Sequence, residues 1–290
     1  MPEPEAASAS APTGAAAAGE LVPQAAPASM REGLTRVWTY RHLVRNLVTQ
    51  QLELRYRGSV VAAGWTFIVP LMMVVVYATA FSRVIDVGTP RLGLYLVIGL
   101  LTWNYVSGVL RTSTDAVVGA TTLLRSVAFP RLVLPIALVI FHLAQFLLSF
   151  AIFLPVGLWI YGWPSGPGPA LAAFPLFLVL HSIFVVGIAL VLATIAVRFR
   201  DVRHLIDAVL PMLFWATPVV YEMKLVPASV AVFVNLSPMA VYIRAYQDVF
   251  YYGVVPAPAL WLAALLYAAA ALVGGVRLFQ AHEAHFAELV

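Results

Sequence analysis

The sequence predicts an all-α polytopic membrane protein, and three observations carry that prediction. About six apolar stretches, each long enough to cross a bilayer, follow one another from Val60 to Val276 with short loops between them. Hydrophobic residues make up 62% of the 290 and charged residues only 10%, giving a mean hydropathy of +0.92. The few charges gather at the ends of the apolar stretches rather than within them. A bilayer core about 30 Å thick leaves no water for unpaired backbone groups, so apolar runs of this length read as helices.

The first segment, Met1 to Met30, is rich in Ala, Pro and Ser and has no aromatic residue and no periodicity. It is expected to be a disordered tail over residues 1–30. It lacks the basic start and apolar run of a secretory signal, so the amino terminus is expected to stay in the cytoplasm. From Leu34 to Arg57 the pattern turns helical. At 100° per residue, Thr35, Thr39, His42, Asn46, Thr49 and Glu53 share one face and Val37, Tyr40, Val44, Leu47 and Val48 the other, with Arg36, Arg41 and Arg45 near the borders. Residues 31–58 are therefore expected to form one amphipathic helix lying in the membrane interface, as an anchor or as a docking surface.

The predicted spans are Val60–Ser82, Leu92–Leu110, Leu132–Tyr161, Leu171–Val197, Leu205–Tyr221 and Ala257–Val276, within a transmembrane domain of residues 59–280 followed by a tail over 281–290. The breaks carry turn chemistry or charge: Asp86-Val87-Gly88-Thr89-Pro90, Trp163 to Pro167, and Arg198 to Arg203. With the amino terminus inside, 13 of the 17 Lys and Arg residues fall on the cytoplasmic side. That imbalance predicts that both termini are cytoplasmic. The segment from Val226 to Tyr252 is too apolar for an outer loop and is broken by Pro227, Asn235, Ser237 and Pro238. It reads as a seventh span or as a re-entrant pair of short helices, and the charge count is the same either way.

Composition excludes several classes of function. The chain has no cysteine, which removes thiolate chemistry and cysteine metal sites. Its basic balance, net +4, is spent at span ends, where it orients helices rather than building a groove for nucleic acid. No Asp, Glu, Lys or Arg lies in the middle of a predicted span, so a proton or ion relay is disfavoured. His142, Gln145 and His181 are the strongly polar candidates inside spans, and interhelical hydrogen bonding accounts for such residues. No serine stands in a nucleophile-elbow context. The phosphate-cradling G-x-x-x-x-G-K-[ST] loop is missing, and the only lysine, Lys224, follows Met223. If the chain drives transport, the energy must then arrive from another polypeptide through the cytoplasmic surface.

Several motifs, in order, resemble one family. Leu54-Arg55-Tyr56-Arg57-Gly58-Ser59 comes first, followed by Trp65 and Pro70-Leu71. Gly99-Leu100-Leu101-Thr102-Trp103-Asn104 comes next, and Phe129-Pro130-Arg131 with Leu134-Pro135 precedes the third span. Arg198-Phe199-Arg200-Asp201, Thr217-Pro218-Val219-Val220-Tyr221 and Arg244 in a segment ending at Gly253 complete the set. Together they resemble the type-2 ABC transporter permeases that export O-antigen, capsular polysaccharide or teichoic acid. Two positions depart from that pattern: Ser237-Pro238 stands where the family commonly has Asn-Pro, and Ala62 where it favours glycine.

The resemblance implies six transmembrane helices, re-entrant helices between the fifth and sixth, a homodimer forming one channel, and two copies of a cytoplasmic ATPase. Export of a lipid-linked polysaccharide across the bacterial inner membrane follows as the expected function. The alternatives are a type-2 permease for teichoic acid, a drug or a small lipid, and, from another class, a membrane-embedded enzyme on lipid-linked sugars. No enzyme activity and no cofactor are expected in this chain; ATP and Mg belong to the partner ATPase. By motif match, Arg125, Phe129, Arg131, Arg200, Asp201 and Arg203 are the expected ATPase-coupling residues. Trp103, Tyr105, Trp215 and Tyr221 are the expected channel-lining residues, because aromatic faces stack on the C–H faces of sugars.

Overall fold

The structure is a computed structural model and describes residues 30–56, 60–81, 88–120, 129–163, 168–199, 201–283 and 286. Among these residues every regular element is helical. The α-helices are α1 (Met30–Thr39), α2 (Arg41–Tyr56), α3 (Val60–Thr79), α4 (Leu92–Ser113), α5 (Val133–Tyr161), α6 (Ala173–Arg198), α7 (Val202–Trp215), α8 (Ala228–Leu236), α9 (Pro238–Gln247) and α10 (Pro258–His282).

Four helices are long and apolar enough to cross a bilayer: α4, α5, α6 with its leading turn from Pro169, and α10. Helices α8 and α9, the latter continued by a π turn over Asp248–Tyr252, meet at 94° and pass the same test together. The chain is thus a multi-pass membrane protein, with four such helices among the described residues, or five if the bent pair is one span. The 20-residue helix α3 lies where the first span is expected and is not among those four. The expected fifth is represented by α7, whose 14 residues reach only about 21 Å at 1.5 Å per residue.

Helix α4 is the hub. Leu94, Tyr95, Leu96, Ile98, Leu100 and Val109 are buried on all its sides, as expected of a helix apolar all round and enclosed by other helices. It packs on α3, α5, α6, α7 and α9. Helices α6 and α10 make the most extensive helix pairing among the described residues. A β carbon on Gly187 would collide with the Ala271 backbone, and one on Gly275 with the Gly187 backbone. Small residues at such contacts let backbones approach where lipid supplies no hydrophobic driving force. Gly99 does the same for α4, lying against the Val219 backbone.

The amino-terminal helix is not continuous. It breaks at Tyr40 into α1 and α2, although the amphipathic pattern runs through the break. The polar face is exposed as the pattern predicts. The apolar face, by contrast, is used within the protein: Val44, with Leu43, Leu47 and Val48 around it, packs on Phe129, Val133, Leu134 and Ala137 at the start of α5. Trp38 and Leu54 are left exposed. The carboxyl end also packs. Phe286 is buried against Phe279 in a cluster with Val117, Leu132 and Val197.

Candidate functional site

At the arginine-rich end of the bundle, two ion pairs join the end of α4 to the start of α7. Arg203 reaches Asp115 at 3.2 Å and Arg111 reaches Asp207 at 3.5 Å. Asp207 lies one helical turn beyond Arg203, and Arg111 one turn before Asp115, so each helix presents one acid and one base and the pairs cross-complement. All four side chains are about half exposed, so the pairs set the register of α7 on α4 more than they stabilise the fold.

A third contact at this end fixes the start of α5. The Arg131 backbone N–H donates to Glu283 Oε1 at 3.0 Å, and the Arg131 guanidinium donates to the Glu283 backbone carbonyl. A carboxylate beside the first amides of α5 satisfies an orphan donor and complements the helix dipole. The last turn of α10 is thereby tied to the first turn of α5.

The expected coupling residues fall as follows. Arg203 is in the α4–α7 pair and Arg131 in the α5–α10 contact. Phe129 is buried under α2. Asp201 is exposed immediately before α7 and caps no amide with its side chain. Arg125 and Arg200 lie outside the described residues. The structure therefore groups Arg203 with Asp115, and Arg131 with Glu283, and leaves Phe129 and Asp201 apart.

At the far end, a hydrogen-bonded network holds the turn after α7. Pro218 cannot extend the helix and the residue before it is turned away from helical geometry, so carbonyls are left without amide partners. Tyr95 OH donates to the Tyr221 carbonyl at 2.8 Å and the Pro218 carbonyl at 3.3 Å, and Gln247 Nε2 donates to the Pro218 carbonyl at 3.0 Å. The turn is thus clamped between α4 and α9. Beside it Glu222 is buried, with Lys224 Nζ at 3.0 Å and Tyr252 OH donating at 2.9 Å. Burial works to raise the Glu222 carboxyl. The nearby Thr89 hydroxyl, donation from the Lys224 and Tyr252 side chains and the Lys224 charge outweigh it and hold the group below the usual carboxylate range.

The expected channel residues divide between interior and surface. Trp103 is buried edge-on against Phe214, and Tyr105 is buried with its hydroxyl donating to Ser182 Oγ at 3.3 Å and its ring edge-on to His181. Trp215 is 54% exposed. Tyr221 is half-buried, its hydroxyl donating to the Trp215 carbonyl at 2.9 Å. So Trp215 and Tyr221 come together at the end of α7, while Trp103 stands behind them through Phe214 and Tyr105 faces another part of the bundle.

The two intramembrane histidines are both partnered. His142 Nε2 lies 2.9 Å from Thr112 Oγ1 and His181 Nδ1 lies 3.2 Å from Tyr246 OH. Asp115, Asp207, Glu222, Gln247, Tyr252 and Glu283 were missed as site residues. For all but Tyr252, the signal that could have found them is the oddity of an acidic or amide side chain at a span end.

A family profile described as ABC-2 type transporter matches residues 42–251, the stretch holding the crossed ion pairs, the clamped turn and the bent pair. The chain is also similar to the O-antigen export system permease protein RfbA of Myxococcus xanthus. The two are 31% identical over 262 residues, covering 88% of this chain and 97% of the relative. A protein of the same name from Klebsiella pneumoniae is 24% identical over 212 residues, covering 72% of this chain and 80% of that one. A second Klebsiella pneumoniae protein of that name is 24% identical over 210 residues. With a matched stretch that runs from the amphipathic helix through the π turn, the chain belongs to the ABC-2 type transporter family.

Proposed function

We propose that the chain is the membrane-spanning permease subunit of an ATP-driven exporter that moves a lipid-linked, O-antigen-like polysaccharide from the cytoplasm across the bacterial inner membrane. The observation that carries this reading is the similarity, over 97% of its length, to a relative named as an O-antigen export permease. In this reading the chain has six spans, α3 and α7 being the first and fifth, and α8 and α9 form a re-entrant pair. Both termini and the arginine-rich end are cytoplasmic. Two copies assemble side by side, with two copies of a separate ATPase beneath them.

The permease breaks no bond itself; ATP and Mg are held by the ATPase, which this chain lacks the phosphate loop to replace. Its residues transmit a push. The ATPase engages the surface carrying Arg125, Phe129, Arg131, Arg200, Asp201 and Arg203. Helix α7 begins there, held to α4 by Arg203–Asp115 and Arg111–Asp207, and ends at Trp215 beside the clamped turn. A short rod fixed at one end moves what is fixed at the other, so displacement of α7 reaches Trp215 and Tyr221. These two residues offer ring faces to the passing polymer, Trp103 backing them through Phe214. Tyr105 belongs to the same aromatic set from inside the bundle.

Deletion of the gene in its own bacterium tests the reading. The expected result is loss of surface polysaccharide with accumulation of the completed lipid-linked polymer on the cytoplasmic face. Undiminished surface polysaccharide in the deletion strain would overturn it.

A further inference from the structure

A cavity of about 540 Å³ opens between α3, α4 and α5 within one protomer, toward the arginine-rich end. It lies apart from the α7 turn, and shares with the groups described above Arg111, Tyr105 and the His142–Thr112 pair. From Leu101 to Arg111, both of which line it, it follows about 15 Å of α4 at 1.5 Å per residue.

Its lining is unusual for this protein. Arg55 and Arg111 line it together with Thr112, His142, Asn104 and Gln145. Among the described residues, Arg55 and Arg111 are the charged groups on the lining, and both are basic. Arg111 is paired with Asp207, while among the described residues no carboxylate pairs with Arg55. Thr112 and His142 are already joined to each other at 2.9 Å, so the wall is pre-ordered by that bond. The apolar part of the lining includes Trp65, Val69 and Met73 of α3, all exposed, and Phe146 of α5.

A site with two cations, hydrogen-bonding side chains and an apolar wall carrying exposed residues fits one chemistry. We infer that this cavity binds a lipid with an anionic phosphate headgroup, the phosphate between Arg55 and Arg111 and one chain along Trp65, Val69 and Met73. Guanidinium groups match phosphate oxygens in a bidentate fork, and each cation near an anionic lipid adds to its retention. A phosphate lipid of the bilayer and the phosphate-linked carrier of the exported polymer share this chemistry. The site holds or fails independently of which polymer is exported.

The test uses the permease purified with its ATPase and titrated with phosphatidylglycerol or phosphatidylcholine, bound lipid being counted by native mass spectrometry. Wild type is expected to retain phosphatidylglycerol about tenfold better than phosphatidylcholine, and Arg55→Gln combined with Arg111→Gln to lose that preference. Asp207→Asn, which breaks the ion pair but keeps the arginine, is expected to leave it intact. Arg55→Gln alone, which spares the α4–α7 contact, is expected to lose part of it and guards against misfolding of the double variant. Displacement of phosphatidylglycerol by a polyprenyl diphosphate would name the carrier as the occupant; retention in its presence would name a resident phospholipid. Equal retention of the two phospholipids by wild type, or an undiminished preference in folded Arg55→Gln, would overturn the inference.

Discussion

Gly187 of α6 and Gly275 of α10 face each other so closely that neither position has room for a β carbon. The obstacle is backbone on both sides, which cannot swing away as a side chain can. Gly187→Leu should therefore force α6 and α10 apart and destabilise the bundle by about 1–3 kcal/mol or more, the usual range for overpacking. Gly274→Ala, one residue along and with open space around it, is the internal control. Thermal unfolding in detergent should fall for the first and stay near wild type for the second. Equal melting of the two would remove the close contact from the account.

Tyr95→Phe removes one hydroxyl and no ring. The Tyr221 carbonyl loses its 2.8 Å donor, while the edge-on contact of Tyr95 with Tyr251 is kept. The cost should be about 1 kcal/mol, that of one hydrogen bond, and it should appear as loosening of the Thr217–Tyr221 turn. Hydrogen exchange over that turn should accelerate while exchange in α6 and α10 does not. Unchanged exchange at the turn would show that Gln247 and the Gly99 contact hold it without Tyr95.

Acid should loosen the same end of the molecule. The Glu222 carboxyl is held below its ordinary value of 4.5 by the groups that donate to it and by Lys224, in spite of burial. A lowered folded value means that the stabilisation is fully present above the ordinary carboxylate value and is lost as pH falls through the lowered one. Wild type should hold its melting temperature down to that range and then lose it, while Glu222→Gln should start lower and show a shallower acid limb. Coincident acid limbs for the two proteins would place the titration elsewhere.

The helices that could be read from the sequence are those in which one apolar run does one job. Leu92–Ser113, Val133–Tyr161 and Pro258–His282 begin within a residue of the expected spans, because length and hydropathy alone decide whether such a run is a helix. The expected span to Tyr221 stops at Trp215 instead, since Pro218 unhinges the residues before it. The break at Tyr40 was not legible, because no proline or glycine marks it and the amphipathic period continues across. The site was legible only in its types. Arg203 and Arg131 stood out as basic residues in loops, but Asp115 lies 88 positions from Arg203 and Glu283 lies 152 from Arg131. Such pairings come from the packing of α4, α7, α5 and α10, and no local pattern records them.

The α4–α7 register can be tested by charge exchange. Asp115→Arg sets two cations against each other, and Arg203→Asp sets two anions; the double exchange restores an opposite pair. Because the 3.2 Å pair is about half exposed, none of the three should alter stability by more than about 1 kcal/mol. Each single variant should impair export, and the double exchange should recover most of it. Failure of the double exchange, with both singles impaired, would assign the residues to ATPase contact rather than to each other.

The central claim is that this chain supplies a path and no energy. Its most direct test is inside-out membrane vesicles loaded with lipid-linked polysaccharide, in which transfer to the lumen is followed with the chain alone, the ATPase alone and both together. The account predicts ATP-dependent transfer only with both, and no ATP turnover by the purified chain alone. Transfer by the ATPase-containing vesicles without this chain, or ATP hydrolysis by this chain without a partner, would contradict it.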